Sequence, residues 1–282
     1  MVSRRPVSAI SKSGSIVLNE EQAKTLIQKV LKLSPARATE VSLKYRDVQL
    51  TRFANNAIIQ SVAENNLRVA IRALHQDKMG RAETNKTDAD SLTRCCERAL
   101  QLAKLSSPDP NSLPRPGRQR YETPDSFFES GRAWDAATRA SQVAAVIRSG
   151  EKSRATLAGA HKISTTCISI CNSQGLFAFA KGTEATLSVT ATRNDATGAS
   201  LANSLDIRHI RPEALVESAI QKAILSEKTS ALPSGEYTVI LEPLAVLNLL
   251  SSMIIDYISQ VCPFSGTALQ NKLGFTVGQL GK

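Results

Sequence analysis

The chain has 282 residues and a formal charge of +10, with 42% apolar and 21% charged residues, proportions that exclude wholesale disorder. With 14 glycines and 5 cysteines it is neither collagen-like nor a disulfide scaffold. Aromatic residues are only 4%, which argues against a stacking platform for single-stranded nucleic acid, while a pI near 9.6 permits acidic partners without demanding them.

Residues 1–18 contain no acid and several Ser, Arg and Lys. They read as a flexible tail on a cytosolic chain, with an organelle transit peptide as the other reading. Asn19 can cap a helix over Glu20–Leu33, with Gln22 at the capping-box position. Ala23, Leu26, Ile27, Val30 and Leu31 form its apolar stripe, and Pro35 stops it. The period then changes: Val41, Leu43 and Tyr45 alternate, as do Leu67, Val69, Ile71 and Ala73. Residues 40–85 therefore read as antiparallel strands, with turns near Asn55–Asn56, Asn65–Asn66 and Asp77–Gly80. A helix is expected from Asp88 or Asp90 to Leu105, its first turn stabilised by those acids.

Pro108, Pro110, Pro114, Pro116 and Pro124 rule out helix and ladder alike, so 106–131 reads as a connector. A helix is expected over 133–149. Strands are expected over 156–172, 176–180, 186–193 and 199–206. Pro212 opens a helix running to about Lys228. A strand is expected at 237–241, and Pro243 opens an apolar helix. That helix carries Asn248, Asp256 and several serines, so it is a poor membrane span and a good buried helix. Its apolar residues cover most of the circumference, which points to cover by a partner or by further chain.

An internal repeat runs through this order. Glu64, Leu67 and Val69 match Glu184, Leu187 and Val189 in spacing, and Asp77 and Gly80 match Asp195 and Gly198. Each Gly precedes a short strand, an Asn (Asn85, Asn203) and an amphipathic helix. The expected fold class is therefore α+β, built of two related β-meander-plus-helix units. The expected divisions are 1–18 tail, 19–105 first unit, 106–131 connector, 132–230 second unit and 235–282 the truncated beginning of a β-rich C-terminal domain.

Catalytic signatures are scarce. His75, His161 and His209 build no H-E-x-x-H helix, and neither G-x-S-x-G nor a phosphate-binding glycine loop occurs. Ser149 and Lys152 fit S-x-x-K, a pattern frequent by chance and without companion motifs here. Cys95, Cys96, Cys167, Cys171 and Cys262 lack framework spacing, which fits a reducing compartment and structural thiols. Cys167 and Cys171 stand about 13 Å apart along a strand, too far for one metal or one disulfide. Arg115, Arg118 and Arg120 are the densest basic cluster, but Glu122 and Asp125 follow at once, so direct nucleic-acid binding is disfavoured.

Arg52–Gln60 with Glu64–Val69, then Gly80–Asn85 and Leu105–Pro110, resemble the signature of the TldD/PmbA family. Asn172–Phe177, Thr183–Glu184 and Gly235–Pro243 continue the resemblance in order. Its signature positions here are Arg52, Phe53, Asn55, Asn56, Gln60, Glu64, Gly80, Asn172, Gly175, Glu184, Gly235, Glu242 and Pro243, expected to be structural, not catalytic. The family is known for modulators of DNA gyrase and for cytosolic metallopeptidases. Its zinc-binding members carry H-E-x-x-x-H on a helix where this chain has Leu244–Met253, and no His follows His209. The chain thus resembles the PmbA-type branch, without catalytic or metal residues of its own. Family chains normally continue as a β-rich C-terminal domain, so the end at Lys282 reads as a truncation.

The resemblance implies a non-catalytic, cytoplasmic subunit of a metallopeptidase complex involved in peptide processing. It would hold no cofactor itself, with zinc only in a TldD-like partner, and self-association is the other partnership. The alternative is a modulator of DNA gyrase acting through protein–protein binding. A third reading, an enzyme with an unrecognised site, is weakened by the missing zinc helix.

Overall fold

The computed structural model describes residues 18–108 and 115–261. Expectations for 1–17, Pro110, Pro114, Cys262 and the segment beyond it lie outside the described residues. The described elements are α1 (Glu20–Leu33), β1 (Ala38–Ala54), β2 (Ala57–His75), β3 (Lys78–Thr84), α2 (Ala89–Leu105), α3 (Ala136–Lys152), β4 (Thr156–Asn172), β5 (Phe177–Arg193), β6 (Ala196–Ser204), α4 (Pro212–Leu225) and α5 (Pro243–Val261). One unit extends to Lys228, and a second begins at Thr229 and contains α5. None of the described helices is long and apolar enough to cross a membrane.

The first unit is an α+β fold around one antiparallel sheet of order β3-β2-β1-β4-β5-β6. Side chains alternate across it. Val41, Leu43, Tyr45 and Phe53 of β1 are buried, while Lys44, Arg46 and Arg52 between them are exposed. Helices α1 to α4 pack on the buried face. One core cluster gathers Ile27, Val30, Leu43, Ile71 and Leu92, and another gathers Phe53, Val143, Leu157, Leu187 and Ile220. Each large apolar side chain removed from water there contributes about 1.5–3 kcal/mol.

The helix starts follow the sequence closely. Asn19 Oδ1 accepts from the Gln22 N–H at 2.8 Å, and the Asn19 N–H donates to Gln22 Oε1 at 3.0 Å, a complete capping box. Asp88 caps α2 by accepting from the Ser91 N–H, which holds its carboxyl below the usual carboxylate range. Asp135 caps α3 in the same way through Thr138, so that helix begins at Ala136 and not at Ala133.

Three expectations fail for identifiable reasons. Asn65 and Asn66 do not turn: they continue β2, paired with Asp47 and Arg46, and the Asn65 amide donates to the Tyr45 hydroxyl. The true turn is Asn55–Asn56, where both residues have positive φ, as a two-residue hairpin turn requires. The gap between 180 and 186 does not exist either, because Lys181, Gly182 and Thr183 pair with Cys167, Thr166 and Thr165 within one long β5. Residues 237–241 form no strand, for they have no described neighbour with which to share a ladder.

The repeat has a packing meaning. A Cβ on Gly80 would lie 2.2 Å from Ala99 O and Ala103 N of α2. A Cβ on Gly198 would lie 2.2 Å from Ala219 O and 2.5 Å from Ala223 N of α4. In each half, a strand glycine and an i, i+4 alanine pair let helix backbone rest directly on the sheet. Gly80→Ala and Gly198→Ala should therefore each lower stability by about 1–3 kcal/mol or more. Gly182, where a Cβ would meet nothing closer than Ser126 at 3.4 Å, should tolerate Ala within about 0.5 kcal/mol. Urea midpoints of the three variants check this, and equal losses at all three would refute it.

The connector residues 116–125 are exposed and irregular, whereas Arg68 and Arg193 lie within β2 and β5. Limited trypsin digestion should thus cut first after Arg118 or Arg120. Mass spectrometry of the earliest fragments reads the order, and first cleavage at Arg68 or Arg193 would contradict it.

Candidate functional site

Because the strands alternate, apart from a bulge at Arg52/Phe53, the face opposite the helices collects one set of side chains in rows. Glu64 of β2, Val48 of β1, Ser164 of β4 and Glu184 of β5 form one row. Asn66, Arg46, Thr166 and Gly182 form the next, followed by Arg68, Lys44, Ile168 and Ala180. On the other side of the glutamate row stand Val62, Leu50, Lys162 and Thr186, then Gln60, Arg52, Ala160 and Ser188. Four signature residues, Arg52, Gln60, Glu64 and Glu184, thus share this open face.

The two glutamates stand three strand spacings apart, about 14 Å between Cα atoms. Glu184 is held in place: Lys162 Nζ lies 3.0 Å away, Asn203 Nδ2 donates at 2.8 Å and Ser164 Oγ donates at 3.3 Å. The Asn203 hydrogen bond, with that from Lys162, keeps its carboxyl below the usual range. Glu64 makes no ion pair among the described residues. The two acids therefore act separately and are not placed as a general acid–base pair.

Sequence reading missed Lys44 and Arg46. They are exposed, side by side on the open face, and neither has an ion-pair or hydrogen-bond partner among the described residues. They separate two depressions. One, of about 270 Å³, is lined by Lys44, Arg46, Val48, Glu64, Asn66 and Arg68. The other, of about 360 Å³, is lined by Lys44, Arg46, Ser164, Thr166, Gly182, Thr183 and Glu184. The available signal was the charged alternation of Lys44 and Arg46 between Leu43, Tyr45 and Asp47.

The remaining signature residues serve the scaffold. Phe53 is 1% exposed in the core. Asn55 and Asn56 form the β1–β2 turn, and Asn56 clamps β4 by accepting from the Leu157 N–H at 2.7 Å and donating to Ala155 O at 3.1 Å. Asn172 Oδ1 accepts from the Gln174 and Leu176 N–H groups, while its amide donates to Pro116 O at 2.8 Å. Gly175, at φ +93°, completes that turn in a conformation that side chains resist. Gly80 seats α2 as above. Gly235, Glu242 and Pro243 belong to the second unit, where the Glu242 carbonyl accepts the Val246 N–H at the start of α5.

Beneath the sheet, under α3, lies a second polar group. Arg139 is 1% exposed; it donates to Gln49 Oε1 and to Trp134 O, the latter at 2.8 Å. Burial works against its charge, while Asp135 and Asp47 support it. His161, fully buried and pairing across from Thr51, meets the Trp134 ring edge-on at 5.3 Å. Neither imidazole nitrogen has a hydrogen-bond partner among the described residues. Burial, reinforced by Arg139, pushes its pKa down from 6.5 to about 4.

The sign of the resulting pH dependence is fixed. Between about 6.5 and 4 the unfolded chain takes up a proton that the folded chain refuses. This contribution is thus intact above pH 6.5 and is lost progressively as pH falls, by about 1.4 kcal/mol per unit. Urea unfolding of the wild type and of His161→Leu at pH 7.5, 6 and 5 checks this. The wild type should lose stability on acidification more steeply than the variant, and parallel profiles would contradict the assignment.

No group of three or more His, Cys, Asp or Glu gathers to hold a metal among the described residues. Cys95, Cys96, Cys167 and Cys171 are buried free thiols, and burial pushes Cys96 and Cys167 up to about 11. Such thiols are poor nucleophiles at neutral pH.

Residues 39–103 match the family model for PmbA/TldA metallopeptidase domain 1. The fold is shared with TldE from Thermococcus kodakarensis, at 20% identity and TM-score 0.61 over 72% of this chain and 47% of that one. It is shared also with a candidate modulator of a DNA gyrase from Thermotoga maritima, at 17% identity and TM-score 0.73 over 86% of this chain and 59% of that one. A third likeness, to a candidate modulator of DNA gyrase from Bacteroides thetaiotaomicron, has 16% identity and TM-score 0.74, with coverage of 86% and 59%. The chain spans about half to three-fifths of the length of these structures. No curated protein matches it in sequence. The sequence likeness to this family thus covers residues 39–103, and the likeness to the solved structures shows a shared fold.

Proposed function

We propose that this TldD/PmbA-family chain is the non-catalytic subunit of a cytosolic metallopeptidase complex. A TldD-like subunit would supply the zinc, and the open sheet face of this chain would form part of the peptide path. The observation that carries this reading is the composition of α5. It begins at Pro243, where the resembled zinc helix stands, and Leu244–Met253 contains no His and no Glu. In the resembled H-E-x-x-x-H helix the two imidazoles hold the metal and the Glu activates water, and Leu244–Met253 supplies none of the three. The match of residues 39–103 to a metallopeptidase first domain, and the fold shared with TldE, support the same reading.

Regulation of gyrase through protein binding is the second reading, supported by how two of the fold neighbours are described. Tagged chain isolated from its own cells decides between them. The expected result is a co-purifying subunit with an H-E-x-x-x-H helix, a complex holding about one zinc, and no tightly held zinc in the chain produced alone. Retention of a gyrase subunit without a zinc-bearing partner, or about one zinc in the lone chain, would overturn the proposal.

A further inference from the structure

On the open face, Lys44 of β1 stands directly opposite Arg68 of β2. Directly opposed residues have Cβ atoms about 5 Å apart, and like charges in that position destabilise a sheet. Arg46 follows on the same face of β1, about 7 Å along the strand. Arg68 has an acid within reach, but Glu83 at 3.4 Å is shared with Arg81. Lys44 and Arg46 make no ion pair among the described residues, although Glu64 and Glu184 line the depressions beside them. Elsewhere on this face Lys162 pairs with Glu184, and Arg72 with Glu40 at 3.1 Å, while Arg52 and Glu64 make no ion pair among the described residues. Two cations without an ion pair, set beside a third on neighbouring positions of paired strands, break a local rule of sheet stability.

We propose that Lys44, Arg46 and Arg68 form a docking site for an acidic peptide segment in extended conformation. Charge complementarity selects the acid. The spacing selects the extended form, since alternate side chains of a strand recur at the same interval of about 7 Å that separates Lys44 from Arg46. Hydrogen-bond donors line both depressions: the Asn66 amide on one side, the Thr166 hydroxyl on the other. Nucleic acid fits less well. The strand registers place no aromatic side chain among these rows for a base to stack on. The three cations belong to this chain alone, so the site stands whether or not a zinc-bearing partner exists.

The test is fluorescence anisotropy on the full chain at 50 mM salt, about a third of physiological ionic strength, where exposed charges are weakly screened. The probe is a labelled peptide of four Glu-Ser repeats. Competitors are the same peptide with Gln for Glu, and a single-stranded oligonucleotide of equal charge. The expected results are saturable binding that weakens with salt, no competition by the Gln peptide, and weaker competition by the oligonucleotide than by unlabelled Glu-Ser peptide. The K44Q/R46Q double variant should bind about tenfold more weakly. Its melting temperature should be equal or higher, since like-charge repulsion has been removed. Lys104→Gln, on α2 and away from this face, serves as the control and should bind as the wild type does. Absence of binding, unchanged affinity in K44Q/R46Q at an intact melting temperature, or preference for the oligonucleotide would each overturn the proposal. Should the double variant fail to fold, K44Q alone is read by the same criteria.

Discussion

The ladder between β1 and β4 is the constraint on which the first unit depends. It pairs Glu40 through Phe53 with Asn172 through Gly159 and makes a single sheet of two repeats. Sequence patterning gives each repeat an apolar face, but three strands and a helix pair make only half a core. Joining them at β1 and β4 removes the longest open edge of each and leaves β3 and β6 on the outside, each under its own helix. The same ladder places Lys44 and Arg46 on a central strand. A charge at a sheet centre has neighbours on both sides and can meet a ligand from either depression.

Helix–sheet spacing is the second constraint, and it sets which face remains open. Gly80 with Ala99 and Ala103, and Gly198 with Ala219 and Ala223, bring α2 and α4 into backbone contact with β3 and β6. α1 and α3 cover the middle strands on the same side. With four helices committed to one face, the other is left to polar side chains on alternating positions, as antiparallel sheets allow. The buried polar group beneath α3 is a consequence. Arg139, Gln49, Thr51 and His161 lie where the two repeats meet, and the seam between two cores is harder to fill with apolar side chains than either core.

Much of this fold was legible in the sequence because local chemistry and tertiary demand agree. The Asn19–Gln22 capping box, the Asn55–Asn56 turn and β4 from Thr156 to Asn172 stand where pattern and turn residues place them. The errors share one cause. Asn65–Asn66 and Lys181–Gly182 carry turn residues, yet each sits opposite a continuous strand whose ladder holds it extended. Residues 237–241 show the converse: strand-favouring residues without a partner strand do not make a strand. The open-face site was half legible. The repeat singled out Glu64 and Glu184, but the free cations are visible only once register sets Lys44 against Arg68.

The two repeats also differ in how their open-face glutamates are held. In the second, β6 reaches Ser204 opposite Ala185, which brings Asn203 to Glu184. In the first, β3 ends at Thr84 opposite Val69, so Asn85, the counterpart of Asn203, lies beyond the ladder. Glu64 consequently keeps no amide partner, and β2 from Ala57 to Arg68 has no β3 residue beside it. The same motif is thus locked in one half, with Lys162, Ser164 and Asn203 around Glu184, and open in the other. A group already saturated by its own fold has little left to offer a ligand. Unsatisfied charge is what binding can still stabilise, and on the β1–β2 side of the sheet it lies at Lys44, Arg46, Arg52 and Glu64.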